Sequence, residues 1–544
     1  NDQKTWTTIA VIDWDIDEYW NIIDTNQLNS SIKYNFQSVR YRHPKGFCNF
    51  GEIHIVGQRL LLPQENQQGN QLNCSYRVES KDEVAISDSS VSLQIKQSPG
   101  LVFTYQGPKI ISKRGGELLT FQYSSNNTIP FPTDQTLYNL VIEGCAANFP
   151  SVDEETKTIS FISRFCSQTP TLRRDMFKTP QFKLTIEGFK EVSVFGDFYG
   201  YFSYWSDPLT WGRKYLPRDG EDVVITQSMK VVLDIDTARL RSLQVHGFLL
   251  VENKLGPNNS KLNWTIHLQA SRIDVSETGF FVAGRANDRL TGNFTITLLR
   301  DETQAAIDTT KFTFVYPSTV DKIFSSVGGY IEIYGSKRNS THTILAAPAK
   351  QGDSNITVSG TPSGLDWQIG DEIALVASDY HQKTEVRSIQ NIVAVDDNYQ
   401  VVLNDTLNYN HYCITELPDG KGKETGTVLL LTRNVVIQGE AEADFTDFSS
   451  PLWLYGGEFI YEGPNDLDPD PHLVVDSVLF KSMAKPFNQG FSSAVRLSNI
   501  WEGSQVDFLS SVIYYPAGYG ITLLGASRLK INETVVIGAM GHGI

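Results

Sequence analysis

Val223-Val224-Ile225, Lys230-Val231-Val232-Leu233, Leu243-Gln244-Val245-His246-Gly247-Phe248-Leu249 and Ile273-Asp274-Val275 succeed one another within about fifty residues. Each run is too short for a helix, is rich in β-branched or aliphatic residues, and is bounded by Gly, Asn, Asp or Pro, which is how strands and their turns are written. Helical periodicity is nearly absent from the whole chain, and turn residues recur every 8–12 positions. That spacing predicts an all-β protein built from sandwiches, barrels or solenoids.

With 544 residues, 40% of them hydrophobic and 20% charged, the chain is globular and long enough for several domains. Its net charge is −16, with no clustered Lys and Arg, which argues against nucleic acid as a partner and against docking on anionic lipid. No run of 18 apolar residues exists, so this segment is not expected to insert in a membrane as a helix. The start, Asn1-Asp2-Gln3-Lys4, has no apolar leader, as expected of a mature, processed or partial chain.

Of five cysteines, Cys48 and Cys74 lie 26 residues apart, Cys145 and Cys166 lie 21 apart, and Cys413 is left over. Two local disulfides are expected, Cys48–Cys74 and Cys145–Cys166, because no two cysteines have zinc-ligand spacing; four buried free thiols are the alternative. Sequons begin at Asn29, Asn73, Asn126, Asn258, Asn263, Asn293, Asn339, Asn355, Asn404 and Asn532. In the company of paired cysteines they point to the secretory route, to N-linked glycans and to an extracellular or cell-surface location.

Four domains are expected, over residues 1–106, 107–204, 205–318 and 319–544. The second opens with Gly115-Gly116-Glu117-Leu118-Leu119-Thr120-Phe121, continues through Ile142-Glu143-Gly144-Cys145, and ends in Tyr201-Phe202-Ser203-Tyr204. In these features it resembles the IPT/TIG immunoglobulin-like sandwiches, and residues 1–106 resemble them more faintly. From Trp205-Ser206-Asp207-Pro208-Leu209-Thr210-Trp211-Gly212, through Gly247, Gly279, Gly284 and Gly292, to Phe294-Thr295-Ile296-Thr297-Leu298, the chain is similar to the eight-glycine domain of the fibrocystins and the cell-surface hyaluronidase relatives. Glycine at those turns suggests positive φ. Gly328-Gly329-Tyr330-Ile331-Glu332-Ile333-Tyr334-Gly335, Asp366-Trp367-Gln368-Ile369-Gly370-Asp371-Glu372-Ile373-Ala374-Leu375 and Thr432-Arg433-Asn434-Val435-Val436-Ile437-Gln438-Gly439 resemble later motifs of the same family. The resemblance implies a right-handed parallel β-helix across 319–544. Gly518-Tyr519-Gly520-Ile521 and Gly541-His542-Gly543-Ile544, 23 residues apart, read as successive coils. The chain stops as a new coil begins, so further coils or a covering chain are expected beyond Ile544.

Chemistry is sparse. Asp466, Asp468 and Asp470, with His472 nearby, could hold Ca²⁺, as could Asp13, Asp15 and Asp17; a solvated loop is preferred for both, and no metal ligand or cofactor is assigned. No His-Glu-x-x-His, nucleophile elbow or phosphate loop occurs. His246 and His542 read as structural turn residues. The resemblance implies a non-catalytic surface or ciliary ectodomain that works through contacts with other surface proteins or with itself. The rival is a glycan-degrading or glycan-binding protein using the β-helix face, with Asp476, Glu502 and Asp507 as candidate carboxylates; no catalytic residue is assigned.

Overall fold

The computed structural model describes residues 101–544 apart from 124–130, 167–181, 188–191, 197, 255–261, 301–321, 362–363, 379–382, 415–423, 441–455, 465–471, 486–491, 502–504 and 528, together with the short strands Asn73–Cys74 and Leu93–Gln94. Residues 1–100 and 101–544 are two compact units. The sandwich expected over 1–106 lies largely outside the described residues, as do Cys48, Asn29, Asn126, Asn258, Glu502 and both aspartate runs. Among the described residues the fold is all-β, with only two short 3₁₀ turns, Gln135–Leu137 and Pro208–Trp211.

Two sheets open the second unit. One orders Phe182–Ile186, Tyr138–Ile142 and Cys145–Ala146; the other orders Val192–Phe195, Leu101–Tyr105, Leu118–Tyr123, Thr158–Ile162 and Asn148–Asp153. Alternate residues point between them, as a period of two requires. Phe103, Tyr105, Leu119, Phe121, Leu140, Ile142, Ile159 and Phe161 form one buried core. Cys145 and Cys166 are disulfide-bonded with Cα atoms 5.8 Å apart, and Cys413 is unbridged. Leu101–Tyr105, expected to close the preceding sandwich, instead pairs with Val192–Phe195 and Leu118–Tyr123. The boundary therefore falls at Gly100/Leu101 rather than at 106.

The rest is a parallel solenoid with three faces. The first face stacks Ile110–Ser112, Gly200–Tyr204, Lys230–Val232, Phe248–Val251, Phe280–Ala283, Tyr330–Tyr334, His472–Asp476, Gln505–Leu509 and Leu529–Asn532. The second stacks Asp222–Ile225, Leu240–Val245, the C-terminal half of Thr265–Val275, Ile323–Val327, Glu458–Glu462, Ser493–Ile500 and Tyr519–Ala526. The third stacks the N-terminal half of Thr265–Val275 with Asn293–Leu298, Val435–Gly439, Val478–Lys481, Val512–Tyr514 and Val535–Ile537. Inward side chains make one continuous core, threaded by Phe281, Phe324, Phe459, Phe480 and Phe508 with successive ring centroids 5.0–5.7 Å apart. The two glycine-rich segments expected to stack do so: Gly520 and Ile521 donate to the carbonyls of His542 and Gly543.

Two expectations need correction. The boundary at 318/319 does not exist in the sheet, because Phe280–Ala283 pairs directly with Tyr330–Tyr334. The eight-glycine segment is the first part of the same solenoid. Conversely, the 319–544 region is not parallel throughout. After Tyr334 the chain leaves to build an antiparallel sheet ordered His342–Ile344, Thr427–Leu430, Glu372–Leu375, Glu385–Val395, Asn398–Leu403 and Asn355–Ser359. A Leu345–Val358 bridge curls it toward a barrel, and it has its own core. Asn434 ties exit to re-entry. Its Oδ1 accepts from the Ser336 N–H at 2.7 Å, and its Nδ2 donates to the Leu290 and Gly292 carbonyls at 2.9 and 2.7 Å. Ala374 and Leu431 of this insertion pack on Val512 and Ile537 of the third face.

Glycine also acts differently from the expectation at three of the named turns, Gly247, Gly279 and Gly292, none of which has positive φ. Gly284 does have positive φ, at 72°. At Gly247 and Gly279 a Cβ would sit 2.1 Å from the Thr226 and Val245 carbonyl oxygens of the neighbouring coil. Close approach of stacked backbones, not handedness, demands these two glycines.

Candidate functional site

The outer side of the first face gathers charged and aromatic groups. A column of rings, Phe202, Phe248, Phe280, Tyr330 and His472, climbs it with centroids 5.6, 5.4, 5.3 and 4.0 Å apart. From Phe248 to His472 each ring is the register partner of the next, because parallel in-register stacking repeats side chains directly above one another, while Lys230 occupies the register position between Phe202 and Phe248. His472 lies flat on Tyr330, with an interplanar angle of 4°. Glu332, one step along the strand, joins them: its Oε1 accepts from Tyr330 Oη at 2.7 Å and pairs with His472 Nε2 at 2.9 Å. Burial pushes the Glu332 carboxyl up, but the bonds from His472 and Tyr330 outweigh it, and the group titrates below its ordinary range.

Beside this column, the Arg285 guanidinium lies 3.6 Å from the Tyr199 ring centroid, a cation–π contact between the end of the sandwich and the solenoid. Burial lowers its pKa, against Tyr199 and the carboxylates of Glu252 and Glu332. Burial also raises the Glu252 carboxyl to about 7, opposed by Arg285 and Lys109. Lys109 pairs with Asp288 at 2.8 Å, and Asn253 Nδ2 donates to the other oxygen of Asp288 at 3.1 Å. At the next corner Arg289 pairs with Asp476 at 2.5 Å.

Of the candidate carboxylates, Asp476 and Asp507 lie on this same outer side, since Asp507 is the register partner of Val474. Asp476 is buried, and is taken up by Arg289 and by the Ser477 hydroxyl at 2.9 Å. Asp507 accepts from Gln505 Nε2 at 3.2 Å. These contacts tie successive strands together. Among the described residues, Asp476 and Asp507 are each taken up by neighbouring side chains and do not form a carboxylate pair with one another. The sequence reading missed Glu332, Arg285 and Glu252. Glu332 and His472 are 140 residues apart, and only the register of Tyr330–Tyr334 on His472–Asp476 brings them together. His246 and His542 sit at solenoid turns, and His542 stacks on Tyr519 at 5.3 Å.

A deeper junction lies where the sandwich meets the solenoid. Lys230, fully buried, reaches back to Glu143 in a close ion pair, donates to the Tyr199 carbonyl at 3.0 Å and lies 4.7 Å from the Phe202 ring centroid. Burial lowers its pKa, against the attraction of Glu143. Glu143 also accepts from the Tyr201 N–H at 3.1 Å. The described sequon residues Asn263, Asn293, Asn339, Asn355, Asn404 and Asn532 are all exposed. Asn73 falls in the short strand Asn73–Cys74. Among the described residues no helix is long and apolar enough to cross a membrane.

The G8 domain family matches residues 210–346, the stretch that begins the solenoid, and the chain is similar to the fibrocystins. It is 27% identical to human Fibrocystin-L over 250 residues, covering 45% of this chain and 5% of that protein. It is 24% identical to mouse Fibrocystin over 363 residues, covering 62% and 8%. Protein rliB of Dictyostelium discoideum is 22% identical over 549 residues, covering 96% of this chain and 44% of that protein. The chain thus spans less than a tenth of the fibrocystins it matches and less than half of rliB. The G8 match straddles the solenoid strands and the start of the antiparallel insertion, so the family unit and the structural unit have different borders.

Proposed function

We propose that this chain is a non-catalytic, N-glycosylated, extracellular part of a fibrocystin-like surface protein, on the cell body or the cilium, that acts through protein contacts along a stiff rod. The observation that carries this reading is the single core running through the coils from Val223 to Ile521, with a G8 match at its beginning. A continuous parallel stack has no hinge between coils and suits a spacer that displays side modules. Within this proposal the sheets at 101–199 are an IPT/TIG domain, the solenoid is right-handed, no cofactor is needed, and any Ca²⁺ is confined to the aspartate runs. Nothing favours the polysaccharide-cleaving alternative, since Asp476 is already paired with Arg289. Purified chain incubated with hyaluronan and other defined polysaccharides should leave their size distribution unchanged. Shortening of any polymer at catalytic protein levels would overturn the proposal. Intact-mass analysis of the secreted chain should show glycans at the exposed sequons.

A further inference from the structure

Among the described residues, the three solenoid faces are not equally covered. The first face carries the sandwich, through Ile110 and Tyr199 packed on Phe202 and Phe248. The third carries the antiparallel insertion, through Ala374 and Leu431 on Val512 and Ile537. It also bears the adjacent exposed sequons Asn263 and Asn293, while Asn339, Asn355 and Asn404 decorate the insertion and Asn532 ends a first-face strand. No sequon begins in any strand of the second face.

We propose that the second face is a contact surface for a second copy of this chain. Its inward positions, such as Leu243, Ile273, Phe324 and Phe459, belong to the core, so the alternate positions face outward. Three outward aliphatics are open to solvent: Val224 at 41%, Val327 at 48% and Leu524 at 51% exposure. The outward charges are balanced and locally paired. Arg241 pairs with Asp222, and Arg272 with Asp274 at 2.6 Å. Farther along lie Glu458, Glu462 and Arg496. Three arginines against four carboxylates make this face nearly neutral in a chain of net charge −16. Two such chains repel over most of their surface, and a near-neutral flat sheet is where they approach at least cost. Because both signs are present on the one patch, it can meet its own copy across a two-fold axis. Seven strands at about 4.8 Å by about five residues at 3.3 Å give roughly 500 Å² per copy, and so about 1,000 Å² in all, the lower limit of a specific interface. Such an interface is weak in solution, with a Kd on the order of 10 µM, and gains from multivalency on a crowded surface.

The inference deepens the contact role proposed above and rests on the sequons being glycan acceptors. Sedimentation velocity of the secreted chain from about 1 to 100 µM should show a monomer–dimer equilibrium. Gln244→Asn together with His246→Thr creates an Asn-Val-Thr sequon on the second strand of this face; its glycan should abolish the dimer. Val327→Glu, which needs no glycan, should weaken the dimer at least tenfold. Wild-type chain that stays monomeric at the highest concentration, or a dimer that persists with the added glycan confirmed by mass, overturns the proposal. Intact mass of the wild-type sample separates the two readings: bare sequons count against the glycosylated ectodomain, and occupied sequons on a strict monomer count only against the dimer.

Discussion

Replacing Glu143 by Gln should loosen the junction between sandwich and solenoid, and more so at neutral than at alkaline pH. The Lys230 side chain is fully buried, and Glu143, 11% exposed, is its counter-charge. Breaking a buried pair from one side leaves an uncompensated charge, which costs about 3–5 kcal/mol. The lysine can escape part of this by losing its proton. Burial already lowers its pKa, and removing Glu143 removes the attraction that opposes burial. In the variant the folded state therefore binds fewer protons than the unfolded state at any pH between the lowered pKa and the ordinary lysine value. Stability then rises with pH across that window, by up to about 1.4 kcal/mol per unit. Hydrogen exchange of Gly200–Tyr204 and Lys230–Val232 reads the local opening, which matters because a long stacked array need not unfold in one step. At pH 7 a loss of about 3 kcal/mol appears as roughly 150-fold faster exchange, after correction for the intrinsic rate, and the gap to wild type should narrow toward pH 10. Lys230→Met, which leaves only the partly exposed carboxylate unpaired, should cost less than Glu143→Gln. If Glu143→Gln exchanged like wild type, or its deficit grew with pH, the buried charge would not be what holds this junction.

Further outcomes follow from the same packing. Glu252, raised to about 7, binds more protons folded than unfolded between its ordinary value of 4.5 and 7, so its presence costs stability as pH rises through that window; Glu252→Gln should flatten the loss and be the more stable protein at pH 8 by thermal melting. Gly279→Ala would place a methyl 2.1 Å from the Val245 carbonyl, where only backbone can move, and should destabilise by about 1–3 kcal/mol or more in chemical denaturation. Double replacement of Cys145 and Cys166 by Ser opens a loop of 21 residues and should cost about 3 kcal/mol, seen as an early loss of the sandwich in a thermal scan while the solenoid signal persists.

Much of the solenoid was legible because its signals are local. Runs such as Val223–Ile225 alternate on a period of two, and turn residues mark where one face passes to the next. The Cys145–Cys166 spacing likewise forecast a bond that the structure contains. Val435–Gly439, inside one of the motifs that resemble the family, pairs parallel with Asn293–Leu298. What sequence reading could not see is which strand lies on which. Glu385–Val395 and Phe280–Ala283 are both strands, yet one pairs antiparallel with Asn398–Leu403 and the other parallel with Tyr330–Tyr334. The first has a two-residue Asp396-Asp397 turn to its partner, and that turn could have flagged the hairpin inside the supposed β-helix.

The same limit explains the site. The ion pairs on and beside the first face join residues far apart in sequence: Lys109 to Asp288, Glu143 to Lys230, Arg289 to Asp476, Glu332 to His472. A solenoid places equivalent positions of successive coils one above another, so a network can be spelled one residue per coil and leave no motif in any window. The insertion between Tyr334 and Val435 lengthens one such gap to 140 residues without moving Glu332 from His472, because Asn434 clamps the exit and re-entry strands at the base of the loop. A clamp of this kind lets a solenoid carry a whole extra module while its register is kept. That is what the proposed rod needs if it is to display a side module.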